Sequence, residues 1–510
     1  MESKNNPSAK APCIAVFGTG SDVGKSIVVT ALCRLFVNNG MRVAPFKAQN
    51  MSNNSGVTPE GLEMGRAQIV QAEAARIAPH VDMNPILLKP TSDVGAQVIL
   101  MGQALNNRTA REYHQYKTHL INAACDALDR LRRQYDMVIL EGAGSCAEVN
   151  LMSHDIVNFK MAEYAEAPVI LVGDIHRGGI FAQLIGTLAC LPEHCRDRIK
   201  GFIINRFRGD LTLFEDGTRW IEQTSKKPVL GVLPWYRHIT IEAEDSVIIE
   251  NPEKVSRAAI IRPAIAIVRI PHISNFTDFD PLFSIPALHV HFIEKVQELS
   301  LFDAVILPGS KNTCHDLRWL HQTGWACELN AYAEQGGHIL GICGGYQMMG
   351  SNVIDPEGLE GSPGTTRGLA LLPIETILKA PKTTTLSRFS WDGFEGTGYE
   401  IHMGQTQRFD GRVMFQVKER NGASVLMEDG CISPNENIMG TYMHGLFDSP
   451  DITRQWLTRI GLSDVPVSAA YGPAARDTQY DLLAAHFKTN IDTRRIMNEL
   501  THGYHNGEAQ

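Results

Sequence analysis

Gly18-Thr-Gly-Ser-Asp-Val-Gly-Lys-Ser26 decides how the first half of this chain folds. It follows the β-branched run Cys13–Phe17 and precedes a stretch with helical spacing, the strand–loop–helix context that a phosphate-binding loop requires. Its glycines free the backbone from Thr19 and Gly20 through Ser21, Asp22 and Val23 to Gly24 to turn amides toward phosphate oxygens. The following helix N-terminus adds partial positive charge. Lys25 is then placed to reach β- and γ-phosphates, and the Ser26 hydroxyl to ligate Mg²⁺. The strict pattern for such loops asks for glycine at position 19, where this chain has Thr19.

Outward from this loop one pattern repeats: a short β-branched run ending in Gly, Asp or Asn, then a longer stretch with helical spacing. The runs are Cys13–Phe17, Arg42–Phe46, Met137–Leu140, Val169–Val172, Phe202–Ile204 and Val229–Leu233. Such βαβ units predict an α/β, doubly wound parallel-sheet domain over residues 1–240. Composition turns acidic and mixed between Trp235 and Arg262, which places a linker at 241–262. A second α/β series then begins with Ala264–Ile270, Ala304–Leu307 and His338–Ile342, and adds antiparallel strands around Arg412–Val417 and Ala423–Met427. This second domain is expected over 263–460, followed by a helical extension over 461–510 in which Asp481–Leu500 reads as a packing helix.

Bulk properties remove several classes. The 510 residues exceed what one core usually organises. Lys and Arg number 47 against 56 Asp and Glu, and no long basic run appears, so nucleic acid is not an expected partner. The apolar stretches are strand-sized, which excludes a helical membrane span. Met1–Pro12 is polar and lacks the apolar core of a signal peptide, so a cytoplasmic location is expected. The ten cysteines form no C-x-x-C pair, and neither a disulfide framework nor a structural zinc site is signalled.

One cysteine stands apart. In Gly341-Ile-Cys-Gly-Gly-Tyr-Gln-Met-Met-Gly350, Cys343 sits where a strand meets a helix between glycines, the form of a nucleophile elbow. The turn exposes the sulfur, the helix N-terminus favours its thiolate, and the Gly344 amide can help hold an oxyanion. The turn Pro308-Gly309-Ser310 can supply a second amide, that of Gly309. Downstream, Gly440-Thr-Tyr-Met-His444-Gly-Leu-Phe offers His444 as general base and acid, with His402 as its competitor.

The first loop resembles the variant phosphate loop of dethiobiotin synthetase and its relatives, ATP enzymes that phosphorylate a carboxylate or carbamate. That resemblance implies a role near the transferred phosphate for Lys47, a Mg²⁺-facing carboxylate at Glu141, with Glu63 as a second candidate Mg²⁺ ligand, and an adenine-reading side chain at Asn205. The second half resembles class I, triad-type glutamine amidotransferase domains, which release ammonia from glutamine through a cysteinyl thioester. Typical members carry Glu two residues after the histidine, whereas this chain has Leu446. The branch containing the cobyric acid and cobyrinic acid diamide synthases lacks that Glu.

Phe46-Lys-Ala-Gln-Asn-Met-Ser-Asn-Asn-Ser55, Met83-Asn-Pro-Ile-Leu-Leu-Lys-Pro90, Gly173-Asp-Ile-His-Arg-Gly-Gly179 and Gly201-Phe-Ile-Ile-Asn-Arg-Phe-Arg-Gly-Asp210 look like signatures of the cobyric acid synthase family within that branch. The resemblance implies glutamine, ATP and a corrinoid as small-molecule partners. It also implies amidation of the b, d, e and g carboxylates of adenosylcobyrinic acid a,c-diamide. Two alternatives remain at this point: the sister enzyme acting on the two earlier carboxylates, and a regulatory P-loop ATPase carrying an inactive glutaminase-like domain.

Overall fold

The computed structural model describes residues 10–92, 95–105, 110–236, 238–242, 261–467 and 472–502. Most of the expected linker, 241–262, lies outside them. The apolar runs of the first half form six strands: β1 (Cys13–Gly18), β2 (Val43–Phe46), β3 (Met137–Glu141), β4 (Val169–Asp174), β5 (Ile199–Phe207) and β6 (Val229–Pro234). They make one parallel sheet in the order β6-β5-β4-β1-β3-β2. Strands buried on both faces read as unbroken apolar runs rather than alternating ones, which is why these six were legible. The order reverses direction at β1, so the loop after β1 opens at a switch point of the sheet, where ligands of such folds bind.

Helix α1 (Lys25–Asn38) follows that loop and buries Val28, Val29, Leu32 and Phe36 against the sheet. The same apolar face also receives the C-terminal helix α3 (Pro473–Asn490), through Tyr480, Leu483 and Phe487. Burying Leu483 and Phe487 contributes about 1.5–3 kcal/mol each. The buried Arg34 of α1 pairs with Asp477 and Asp481 of α3. The expected packing helix is thus broken at Ile491 and docks on the first unit, although it follows the second in sequence.

The second unit is built on β7 (Ala264–Val268), β8 (His289–Ile293), β9 (Ala304–Leu307), β10 (His338–Ile342), β11 (Cys431–Ile432) and β12 (Ile438–Thr441), in the order β8-β7-β9-β10-β12-β11. All neighbours are parallel except β11 with β12. A second sheet is dominated by the antiparallel hairpin of Ile374–Trp391 and Phe394–Arg408. Phe415–Arg420 and Ala423–Asp429 supply the two antiparallel strands expected near there. The long hairpin was not legible: its face alternates irregularly and a register break interrupts it between Leu378 and Thr383.

Candidate active sites

The turn after β1 is held by its own glycines and by β5. Gly24 adopts φ 98°, and a Cβ there would lie 2.1 Å from Asn205 Nδ2, so no larger residue fits. Asn205 Nδ2 donates to Val23 O at 3.0 Å, and its Oδ1 accepts from Arg206 N at 2.9 Å. Arg206 in turn pairs with Asp22 and with Asp174, each at 2.9 Å. Asn205 therefore buttresses the loop. Thr19, at the position where the strict pattern has glycine, donates its amide to Val172 O and its hydroxyl to Gln183.

Lys25 Nζ donates to Gly20 O at 2.8 Å and to Gly144 O at 3.0 Å. The carboxylate of Glu141, at the end of β3, is fully buried. It accepts from Ser26 Oγ at 2.9 Å, from Lys47 Nζ at 2.9 Å and from Gln71. Ser21, Asp22, Gly24, Lys25, Ser26, Lys47 and Asn205 all line one cavity of about 1090 Å³. A buried carboxylate and a hydroxyl converging beside a lysine is a donor set that suits Mg²⁺, which prefers hard oxygen ligands. Gln71 was missed from sequence because a glutamine on a helix carries no signal of its own.

Glu63 has a different set of partners from Glu141. Its carboxylate meets Lys89 at 2.8 Å, Lys382 of the second unit at 2.6 Å and Ser55 Oγ at 2.8 Å. Burial would raise its pKa, but the two ammonium groups hold it well below the usual carboxylate range. Its partners include lysines on both sides of the interface between units.

In the second unit, Cys343 joins β10 to the short helix α2 (Gly344–Met348) with φ 52° and ψ −107°, a strained conformation for a residue with a side chain. The turn is this sharp because α2 starts against β9: a Cβ on Gly345 would lie 2.0 Å from Leu307 O. Cys343 Sγ donates to Ile401 O at 3.6 Å and lies close enough to His444 to act on its titration; His444 is 1% exposed and stacked at 5.2 Å on Tyr399. A Cβ on Gly309 would touch His444 Cε1 at 3.0 Å, and one on Gly344 would lie 2.7 Å from Ser310 N. The two glycines chosen as amide donors thus flank the sulfur and the imidazole. His402 is engaged elsewhere, with Gly404 O at 3.0 Å and Glu400 at 3.4 Å.

The place of the absent Glu is taken from the other end of the domain. Asp278 Oδ2 meets His444 Nδ1 at 2.6 Å, and Asp278 Oδ1 accepts from Gly445 N at 3.0 Å, 166 and 167 residues away in sequence. Burial would lower the pKa of His444, but the Asp278 carboxylate and Cys343 beside it raise it to about 10. The imidazole is therefore held in its protonated form by the carboxylate behind it. Ser274-Asn-Phe-Thr-Asp-Phe-Asp280 carries no spacing that links it to the histidine, so sequence reasoning could not find Asp278.

A loop that can cradle phosphates and a cysteine–histidine–aspartate site on one chain define a two-domain, glutamine-dependent amidotransferase. The family comparisons agree. Residues 14–247 match the CobQ/CobB/MinD/ParA nucleotide binding domain, and residues 264–452 the CobB/CobQ-like glutamine amidotransferase domain. Cobyric acid synthase of Chlorobaculum tepidum is 49% identical over 95% of this chain and 97% of its own. That of Chlorobium phaeobacteroides is 52% identical over 95% and 98%, and that of Yersinia enterocolitica 46% over 95% and 97%. The chain belongs to the cobyric acid synthase family. Among the described residues no helix is long and apolar enough to cross a membrane.

Proposed function

We infer that this enzyme amidates peripheral carboxylates of adenosylcobyrinic acid a,c-diamide, using ATP to activate each acid and glutamine to supply the nitrogen. The observation that carries the reading is the coexistence, on one chain, of the Lys25–Ser26–Glu141 site with the Cys343–His444–Asp278 site. Each is chemically incomplete without the other: a carboxylate is a poor electrophile until phosphorylated, and ammonia must be released where water is a poor competitor.

Cys343 attacks the carboxamide carbon of glutamine as a thiolate. The amides of Gly309 and Gly344 receive the charge that develops on oxygen. His444 gives its proton to the departing ammonia, and Asp278 holds the imidazole in the orientation and tautomer that this transfer needs. His444 then deprotonates the water that cleaves the thioester, and glutamate leaves. In the first unit an acceptor carboxylate oxygen attacks the terminal phosphorus of ATP, ADP leaves, and ammonia then displaces phosphate from the acyl phosphate. Lys25 and Lys47 counter the phosphate charge, and Ser26 with Glu141 would hold Mg²⁺, which polarises the transferring phosphoryl group when bound. The cavity of about 1090 Å³ exceeds the roughly 300–1000 Å³ common for single-ligand sites, which suits a nucleotide together with a large acceptor.

Purified enzyme incubated with adenosylcobyrinic acid a,c-diamide, ATP, Mg²⁺ and glutamine should give four successive decreases of about one mass unit in the corrinoid, one for each hydroxyl replaced by an amino group. Consumption of ATP and glutamine with no change in corrinoid mass would refute the substrate and leave the reaction class standing.

A further inference from the structure

The turn that delivers Asp278 is held from the opposite unit. Asn54 Oδ1 accepts from Phe276 N at 3.2 Å, and Ser55 N donates to Asn275 Oδ1 at 3.0 Å. Both asparagines are buried, each 2% exposed. Asn275 has φ 52°, a left-handed conformation that asparagine tolerates better than most side chains. Its carbonyl accepts from Asp278 N at 3.0 Å. These contacts define the entry to the 3₁₀ segment Phe276–Phe279, whose Asp278 reaches His444. A single turn of 3₁₀ helix has little stability of its own, so its geometry is set by what grips its ends.

On the other side, Asn54 and Ser55 lie just beyond Gln49, Asn50 and Met51, which line the ATP-side cavity. Asn54 is itself fixed, since its amide donates to Ser52 Oγ and its carbonyl accepts from Arg66 N. Asn54 is thus a rigid bracket, with one face on the synthetase unit and one on the glutaminase turn.

We propose that Asn54, assisted by Ser55, is a positioning residue for glutamine hydrolysis: it reaches across the interface to hold the Asn275–Phe279 turn so that Asp278 orients His444. The proposal rests on the reading of Asp278 as the third member of the triad. It makes the glutaminase site complete only when the synthetase unit is docked.

A bond that merely fastened two units would, when cut, weaken every activity of the enzyme alike. A bond that positions Asp278 has a narrower effect. In the full-length enzyme, Asn54→Ala should lower kcat for glutamine hydrolysis by about 10- to 100-fold, the range expected when a catalytic group is displaced by about an ångström. KM for glutamine and the rate of ammonia-driven corrinoid amidation should stay within about twofold. Asn275→Ala, which cuts the neighbouring contact from the other side, should behave in the same way and serves if Asn54→Ala does not fold. In an Asp278→Ala background, Asn54→Ala should cause no further loss, because both changes remove the same function. Losses that multiply in the double variant, a parallel fall in ammonia-driven activity, or an unaltered kcat would each overturn the proposal. If Asp278→Ala alone left hydrolysis intact, the triad reading would fall. A slow Asp278→Ala beside a fast Asn54→Ala would remove the positioning role and keep the triad.

Discussion

The two active sites of this chain are built in opposite ways. The nucleotide site concentrates its phosphate-binding parts in one segment: Ser21 to Ser26 run from the turn after β1 into the first residues of α1, and Lys47, Gln71, Glu141 and Asn205 join them, mostly from strand ends of the same sheet. The glutaminase site draws Cys343, His444 and Asp278 from three distant segments. Phosphate binding needs many backbone amides in one place, which a contiguous loop supplies at low conformational cost. Proton transfer needs a few side chains at fixed distances, and the chain can bring these from anywhere. A contiguous site is therefore robust to changes elsewhere in the fold, whereas a dispersed one depends on docking.

The largest effect that can test this contrast comes from Cys343→Ala. Glutamine-driven amidation should fall by roughly 10⁴-fold or more, as in other enzymes that lose a triad nucleophile, while ammonia-driven amidation stays within about twofold. Equal loss with both nitrogen sources would show that the sites are not separable.

Next comes Asp278→Ala, for which glutamine hydrolysis should slow by about 10³- to 10⁴-fold with the ammonia route intact. A loss below about tenfold would place the orienting carboxylate elsewhere.

Lys25→Ala should cost about 10²- to 10³-fold in amidation with either nitrogen source, since it removes one stabilising charge from phosphoryl transfer. Glutamine hydrolysis should persist; its loss would mean that the glutaminase depends on the nucleotide site itself, against the modular picture.

The smallest effect is a displacement on the pH axis. His444 keeps its proton up to about pH 10 because Asp278 and Cys343 favour the imidazolium. Asp278→Asn removes one of those charges, the imidazolium loses its proton at lower pH, and the alkaline limb of the glutaminase profile should move down by about one unit or more. An unmoved limb in hydrolysis of γ-glutamyl hydroxamate would separate Asp278 from the titration of His444.

The same contrast explains what could be read in the sequence. The six strands of the first sheet and the loop after β1 were legible because burial on both faces and phosphate chemistry leave local marks. Cys343 and His444 were legible for the same reason, each lying in a short glycine-bounded segment. Asp278 was not, because nothing local distinguishes it from Asp280. The lysine partners of Glu63 were not legible, because a carboxylate near a phosphate loop looks the same in sequence whether it faces Mg²⁺ or two lysines. Only the fold shows Lys89 and Lys382 closing on it. The C-terminal helix was legible as a helix, but its partner, α1, was not, since an apolar face does not name what it will meet.

The most direct measurement follows the nitrogen itself. Wild-type enzyme and Cys343→Ala are given adenosylcobyrinic acid a,c-diamide, ATP, Mg²⁺ and glutamine labelled with ¹⁵N in the side-chain amide, and the corrinoid is analysed by mass spectrometry. Every new amide should carry the label in the wild type and no amide should form in the variant, until unlabelled ammonium restores unlabelled product. Labelled amides in Cys343→Ala would contradict the account, because glutamine nitrogen would then reach the corrinoid without the cysteine site.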